Sequence, residues 1–480
     1  MIFNSLNFLL FFVVVFFIYY FPLKEKTNAQ NWLLFIASYV FYGIADWKML
    51  PLLLSSTVIF YFLGIAIQTS AEKKASLLTT IGVLLGVGIL LYFKYFNFFI
   101  QSFSDLFSAV GLKTNWSTFN IIMPLGISFF TFRLLSYVIE IHRGKIEPTK
   151  DFVVFATYIA FFPTILAGPI DRPNTFIPQL KSTRSFNNYM AIDGYRQILW
   201  GMFKKMVIAD NLAAYIDPVW SDIPSHSGST LFIAAILYSI QMYTDFSGYS
   251  DMAIGVGKLL GFRITKNFNY PYFARNVAEY WRNWHISLTS WITDYVFMPL
   301  NIKFRDIGII GMILAVIINM LAVGLWHGAN WTFAFFGFYH GLLFIPLILS
   351  GSFFKKKKLK TTKLGFPSAI DFSKMVGTFL LVTLGLIIFR ADNINQAFTF
   401  LSGIFDLSII SFPSLSKKTL IPIILSFLLF LIEWNSRKLE YPLSNLKFKK
   451  PLRYLIYYSI IFVIVWYGNF GVNEFIYFEF

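Results

Sequence analysis

The run Asn319–Phe344, NMLAVGLWHGANWTFAFFGFYHGLLF, decides the fold. It holds the end of one apolar segment, 307–325, and most of the next, 328–350, joined at Gly324–Trp331, GLWHGANW. Each segment approaches the roughly 20 apolar residues that a bilayer-crossing helix needs. Runs of the same kind recur at 4–21, 31–46, 50–68, 77–98, 121–139, 152–168, 192–212, 229–248, 373–390, 419–433 and 454–469. The 480 residues are 57% hydrophobic and 13% charged, whereas soluble domains carry about a quarter charged residues. These patterns predict an all-α polytopic integral membrane protein with about 11–13 transmembrane helices. The ten-residue alternating segments of a membrane β-barrel are absent.

The first span, MIFNSLNFLLFFVVVFFIYYFPLKEK, has no basic n-region and no small-residue cleavage site, so it reads as a helix that stays, not as a signal peptide. Lys24 and Lys26 follow it, which places the N-terminus outside the cytoplasm. The net charge of +16 is gathered in short loops: Lys73 and Lys74; Lys355 to Lys358 with Lys360 and Lys363; and Lys447, Lys449, Lys450 and Arg453. That distribution points to topology and anionic lipid, not to nucleic acid. Two spans separate the last two basic loops, so both fall on the cytoplasmic side and the C-terminus falls outside. There is no cysteine, hence no disulfide and no acyl-cysteine intermediate. One transmembrane domain is expected over 1–480, with N-terminal spans to 120, a core over 121–345 and C-terminal spans from 346.

Between Gln241 and Leu300 the sequence turns polar without becoming soluble, carrying Asp245, Asp251, Lys258, Arg275, Glu279, Arg282 and His285 among aromatics. Such a segment is tolerated at membrane depth only where protein or a wet cavity encloses it. We read 249–300 as short, partly re-entrant or interfacial helices. Of the five histidines, His142 and His226 fall in loops, and His340 reads as a core residue satisfied by a neighbouring carbonyl. His285 and His327 differ. His327 sits at a Gly-rich join, where it serves either as a helix-end cap or as an acid–base group. Gly324 and Gly328 would admit a helix or a ligand close to the backbone, and the flanking tryptophans, Trp326 among them, would exclude water. Neither histidine has an i+4 companion or a carboxylate pair, and zinc needs at least three good ligands, so no metal is expected. No G-x-S-x-G or P-loop is present, which removes a serine hydrolase of that type and a nucleotide-driven pump.

Seven stretches in order resemble the membrane-bound O-acyltransferase family, within it the branch of alginate and peptidoglycan O-acetyltransferases: MPLGISFFTFRLLSYVIEIHRG (123–144), FFPTILAGPIDRPNTFIPQL (161–180), QMYTDFSGYSDMAIGVGKLLGF (241–262), NFNYPYFARNVAEYWRNWHISLTSWITDYVFMPL (267–300), GLWHGANWTFAFFGFYHG (324–341), FRADNINQAF (389–398) and FIYFEF (475–480). The resemblance implies a bundle around a central channel, with the acyl donor entering from the cytoplasm. It maps the family's reactive histidine onto His327 and its second histidine onto His285, with Asp245, Asp251, Arg282, Trp326 and Asn330 in support. It further implies acetyl transfer from acetyl-CoA, with no bound cofactor, toward a cell-envelope polysaccharide. An extracytoplasmic esterase-like relay protein and the bacterial cytoplasmic (inner) membrane follow from the same likeness. A transporter or flippase, or a non-catalytic subunit of an envelope-polymer complex, are the rival readings. The first predicts repeated halves or paired broken helices; the second leaves both histidines without a task.

Overall fold

The computed structural model describes residues 3–112, 116, 118–119, 121–355, 358–471 and 475–476. Lys356 and Lys357 of the basic loop, and 477–480 of the terminal motif, lie outside the described residues. The regular elements among the described residues are helices, apart from an isolated bridge between Thr361 and Pro367. Among the described residues, six helical stretches are long and apolar enough to cross a membrane: Thr27–Thr69, Glu72–Ala109, Arg305–His327, Trp331–Leu349, Ala369–Arg390 and Lys417–Asn435. Their outward side chains are the large apolar ones, among them Phe62, Leu84, Ile310 and Phe427, the inverse of a water-soluble surface. The chain is therefore an all-α polytopic membrane protein. The remaining predicted spans form helices that are shorter or carry ionised groups such as Arg133, Lys204, Lys205 and Asp245 within them.

The chain divides into two compact units, Met1–Tyr195 with Ala253–Thr265, and Arg196–Met252 with Lys266–Phe480. In the first, the predicted span 152–168 is helical only over Phe152–Ala160, where Asp151 caps the start by accepting from the Val153 and Val154 amides. Pro163 lacks the amide needed to continue the helix. The carbonyls of Tyr158 and Ile159 freed at the break each accept from Arg133 Nη1 at 3.1 Å. A buried guanidinium thus replaces the missing turn of backbone hydrogen bonds.

In the second unit lies most of the helix Gly228–Leu259, which runs about ten residues beyond the predicted span 229–248. Its polar residues do not end it because they are satisfied from a π-helical turn, Phe203–Ala209. Lys204 Nζ lies 2.6 Å from Asp251, and Lys205 Nζ lies 2.8 Å from Asp245 and 2.9 Å from Asp210. Buried charges persist in this way only when paired. The short helices expected after that span begin past Leu259: Pro271–Phe273, Val277–Asn283, Ile286–Ile292 and Met298–Lys303. A tight hairpin, Gly308–His327 with Trp331–Leu349, then carries the second histidine. A Cβ at Gly324 would collide with the Phe333 carbonyl, and one at Gly337 with the Met320 carbonyl. Another helix, not a ligand, occupies the space that these glycines open, as small residues allow in membranes.

Candidate active site

His285 is wholly buried and holds a left-handed backbone, φ 43° and ψ 53°, between the helices Val277–Asn283 and Ile286–Ile292. A non-glycine residue there stores about 1–3 kcal/mol of strain and persists only when its surroundings over-determine it. Asn267 supplies that constraint. Its backbone carbonyl accepts from the Ile286 amide at 2.8 Å, and its Oδ1 accepts from the Ser287 amide at 3.1 Å and the Ser287 hydroxyl at 2.8 Å. The same Oδ1 lies 3.1 Å from His285 Nδ1.

The Ser287 amide is a donor only, so the atom facing it is the oxygen of Asn267. His285 Nδ1 must then donate, and the imidazole lone pair sits on Nε2. Burial pushes this imidazole, which lies outside the six spans, down to about 3, so the ring is neutral at physiological pH. A neutral ring in this tautomer accepts a proton through Nε2 and cannot donate there. Phe246, on the helix Gly228–Leu259, packs edge-on against it at 4.6 Å.

His327 is the last residue of Gly308–His327 and is 4% exposed. The backbone turns extended at Gly328, and Asn330 restarts the chain as a helix by accepting from the Thr332 amide at 3.1 Å. Phe389 and Phe336 pack edge-on to the His327 ring at 4.9 and 6.2 Å. The Trp326 indole lies against both histidines, 4.9 Å from the His327 ring and 5.5 Å from that of His285. Next to Gly328–Asn330 opens a cavity of about 620 Å³ with polar walls. Asp217, Arg390, Asp392 and Gln396 contribute to it, with Arg390 held 2.6 Å from Asp217 and lying over the Trp220 and Tyr238 rings. Two buried imidazoles, one shared indole wall and an adjoining polar chamber make a site suited to activating a hydroxyl away from bulk water.

Residues 148–386, which include both histidines, match the model of MBOAT, the membrane-bound O-acyltransferase family. The chain is 35% identical over 432 residues to the probable alginate O-acetylase AlgI of Pseudomonas aeruginosa, covering 88% of this chain and 78% of the relative. The chain belongs to the membrane-bound O-acyltransferase family. It is 32% identical to the peptidoglycan O-acetyltransferase of Helicobacter pylori, over 87% of this chain and 82% of that one. Similarity extends at 30% identity to the teichoic acid D-alanyltransferase of Streptococcus thermophilus, over 54% of this chain and 65% of the relative. The membership makes this chain an O-acyltransferase and an enzyme.

Within this acyltransferase the expected supporting residues fall in different places. Trp326 lies at the histidines, and Asn330 shapes the cavity edge while its Nδ2 donates to the Asp392 carbonyl at 2.8 Å. Asp245 precedes Phe246, pairs with Lys205 and accepts from the Ile476 amide at 3.0 Å, which fastens the described end of the terminal motif to the core. Asp251 accepts from Gln197 at 2.8 Å and pairs with Lys204. Arg282 turns away from the histidines to the Phe353 carbonyl. His340 is buried as expected, but where a neighbouring carbonyl was expected its Nδ1 accepts from the Trp281 indole at 3.2 Å. His142 ends the helix Ile127–His142 and is exposed, and His226 is half-buried in a turn. Sequence reasoning missed Asn267, Phe246 and the Lys204–Lys205 pair. The adjacent lysines inside an apolar run were the one available signal, since buried cations need buried partners.

Proposed function

We propose that this enzyme moves acetyl groups from cytoplasmic acetyl-CoA to a cell-envelope polysaccharide in the bacterial cytoplasmic (inner) membrane. The relatives named for alginate and peptidoglycan acetylation support the acyl group and the class of acceptor. The basic loops supply the sidedness. With 358–363 and 437–450 in the cytoplasm, the helix Ala369–Arg390 ends on the outer side, as does the hairpin tip at Gly328–Asn330. Both chain termini fall outside in the same arrangement. The polar cavity is then the acceptor's entrance, and its mixture of carboxylate, guanidinium, amide and aromatic rings suits a hydroxyl-rich ligand.

His327 serves as general base or as transient acyl carrier. In the first case, its ring takes the proton of the acceptor hydroxyl as that oxygen attacks the acetyl carbonyl. The carbon–sulfur bond breaks, and the CoA thiolate leaves and takes up the proton that His327 accepted, which returns the ring to its neutral form. His285, neutral with its lone pair on Nε2, accepts a hydrogen bond from the acceptor hydroxyl; polarising the donor carbonyl would require a proton on Nε2 that the Asn267 contact disfavours. An extracytoplasmic esterase-like protein would complete delivery to the polymer. The observation that carries this reading is the burial of His285 and His327 against one indole beside the polar cavity.

The test replaces His327 by Ala in the native membrane, with protein level checked by immunoblot and base-labile acetate measured on isolated envelope polymers. Acetylation should fall to background. Acetate at the wild-type level with normal protein would remove His327 from the chemistry.

A further inference from the structure

A second cavity, an apolar groove of about 690 Å³, lies between the helices Gly228–Leu259, Ala369–Arg390 and Lys417–Asn435. Ile236, Ile240, Met375, Phe379, Phe427 and Phe430 line it. Its two polar side chains are already engaged elsewhere: the Tyr272 hydroxyl donates to the Ser239 carbonyl, and the Trp434 indole donates to the Gly365 carbonyl at 3.0 Å. A ligand bearing amides or hydroxyls, such as a pantetheine arm, would find no partner for them inside and would lose its hydrogen bonds to water. Only a hydrocarbon chain suits these walls.

The charge at one end is of a single dominant sign. Arg437 stacks on the Trp434 indole at 4.2 Å and donates to the Trp434 carbonyl at 2.6 Å. The Trp434–Gly365 hydrogen bond ties two basic segments together, bringing the turn that holds Lys363 to the helix end that leads into Arg437 and Lys438. Lys374 is exposed on the helix that begins at Ala369. The nearest carboxylate on that helix, Asp371, is taken up by the Lys360 amide at 3.0 Å and by Arg275 at 3.7 Å, and Glu433 is buried and accepts from the Tyr243 hydroxyl, which leaves exposed Glu440 as the acidic neighbour at the surface. A hydrocarbon slot that ends at an indole–guanidinium stack among lysines has the form of a lipid site on a basic membrane face.

We propose that this groove binds an anionic phospholipid, with one acyl chain along the apolar walls and the phosphate headgroup at Arg437, Lys363 and Lys374. A zwitterionic lipid offers the same chain but gains less from this rim, because its own cation opposes the lysines. The site is separate from the histidines, so it stands or falls independently of the acetyl-transfer reading.

The experiment uses the full chain purified in neutral detergent. Bound lipid is measured by native mass spectrometry and thermal unfolding after adding phosphatidylglycerol, cardiolipin or phosphatidylcholine. Phosphatidylglycerol or cardiolipin should be retained and raise the Tm by several degrees, with little effect from phosphatidylcholine. Arg437→Gln should weaken retention about fivefold, the worth of one cation near a headgroup. Val376→Trp, which fills the groove, should abolish retention while acetyl transfer in detergent stays unchanged. Equal retention of phosphatidylcholine, or full retention by both variants, would overturn the proposal, as would displacement of the lipid by acetyl-CoA. If Val376→Trp fails to fold, the Arg437→Gln comparison decides alone.

Discussion

Replacing Asn267 by Ala should disarm His285 without touching it. Oδ1 of this side chain accepts from His285 Nδ1, the Ser287 amide and the Ser287 hydroxyl, all at 2.8–3.1 Å and all buried. A buried donor left without its acceptor costs about 1–3 kcal/mol. The Ser287 hydroxyl can rotate to a new partner, but the other two donors are fixed, so the loss in stability should be about 2–6 kcal/mol. The catalytic effect has a different origin. Without Oδ1 the ring loses both its tautomer lock and its orientation; partners that orient a metal-bound histidine are worth about 10–100-fold in activity, and an effect on that scale is expected here.

Acetyl transfer would be followed in proteoliposomes with radiolabelled acetyl-CoA, normalised to the protein that elutes as a monodisperse peak. We expect kcat to fall about 10–100-fold, with the KM for the donor little changed. Asn267→Asp retains the oxygen and adds a negative charge beside the ring, so it should recover part of the rate and make that rate pH-dependent. A kcat for Asn267→Ala within twofold of wild type would refute the argument, because the ring would then need no lock.

Three further outcomes are expected. Lys205→Met leaves Asp245 and Asp210 buried without their shared cation, and should destabilise the protein by about 3–5 kcal/mol; thermal unfolding in detergent checks this. His285 is pushed down to about 3 in the folded state against about 6.5 when unfolded. Only the unfolded state binds that proton as pH falls below about 6.5, so stability should drop by up to about 1.4 kcal/mol per pH unit toward 3. His285→Phe should flatten that slope in unfolding runs from pH 7 to 5. Arg390→Gln removes a cation from the polar cavity and should raise the KM for the acceptor about three- to tenfold, the worth of one hydrogen bond, while leaving the KM for acetyl-CoA unchanged in steady-state assays.

The helical class was legible because it is written locally, in the apolar run length, and so was the burial of the two histidines, whose imidazoles stand where apolar residues belong. What holds the histidines was not. Asn267 is 18 positions from His285, within an aromatic NFNY stretch that gives no sign of a hydrogen-bond anchor. The left-handed turn at His285 exists because that distant side chain enforces it, against the preference of the residue itself. The continuity of Gly228–Leu259 was hidden for a related reason. Its carboxylates argue for a break until Lys204 and Lys205 are seen opposite them. Arg282 shows the converse, since its place three residues before His285 suggested a shared task, yet its guanidinium serves the Phe353 carbonyl. Sequence proximity on a short helix says little about which way a long side chain turns.

The glycine contacts along the hairpin bear on how the enzyme moves. Gly324 meets the Phe333 backbone, Gly337 the Met320 backbone and Gly341 the backbone and side chain of Ile317, at successive levels. With backbone against backbone at Gly324 and Gly337, and only Ile317 reaching Gly341, the pair cannot slide or splay without breaking close contacts along much of its length. It therefore acts as a single strut, with His327 at its tip and His340 partway down. Any motion that admits an acceptor at the tip must tilt the whole hairpin, and the indole of Trp281, bonded to His340, would feel it. A spectroscopic probe at Trp281 should then report acceptor binding from the far side of the strut, without a label in the cavity itself.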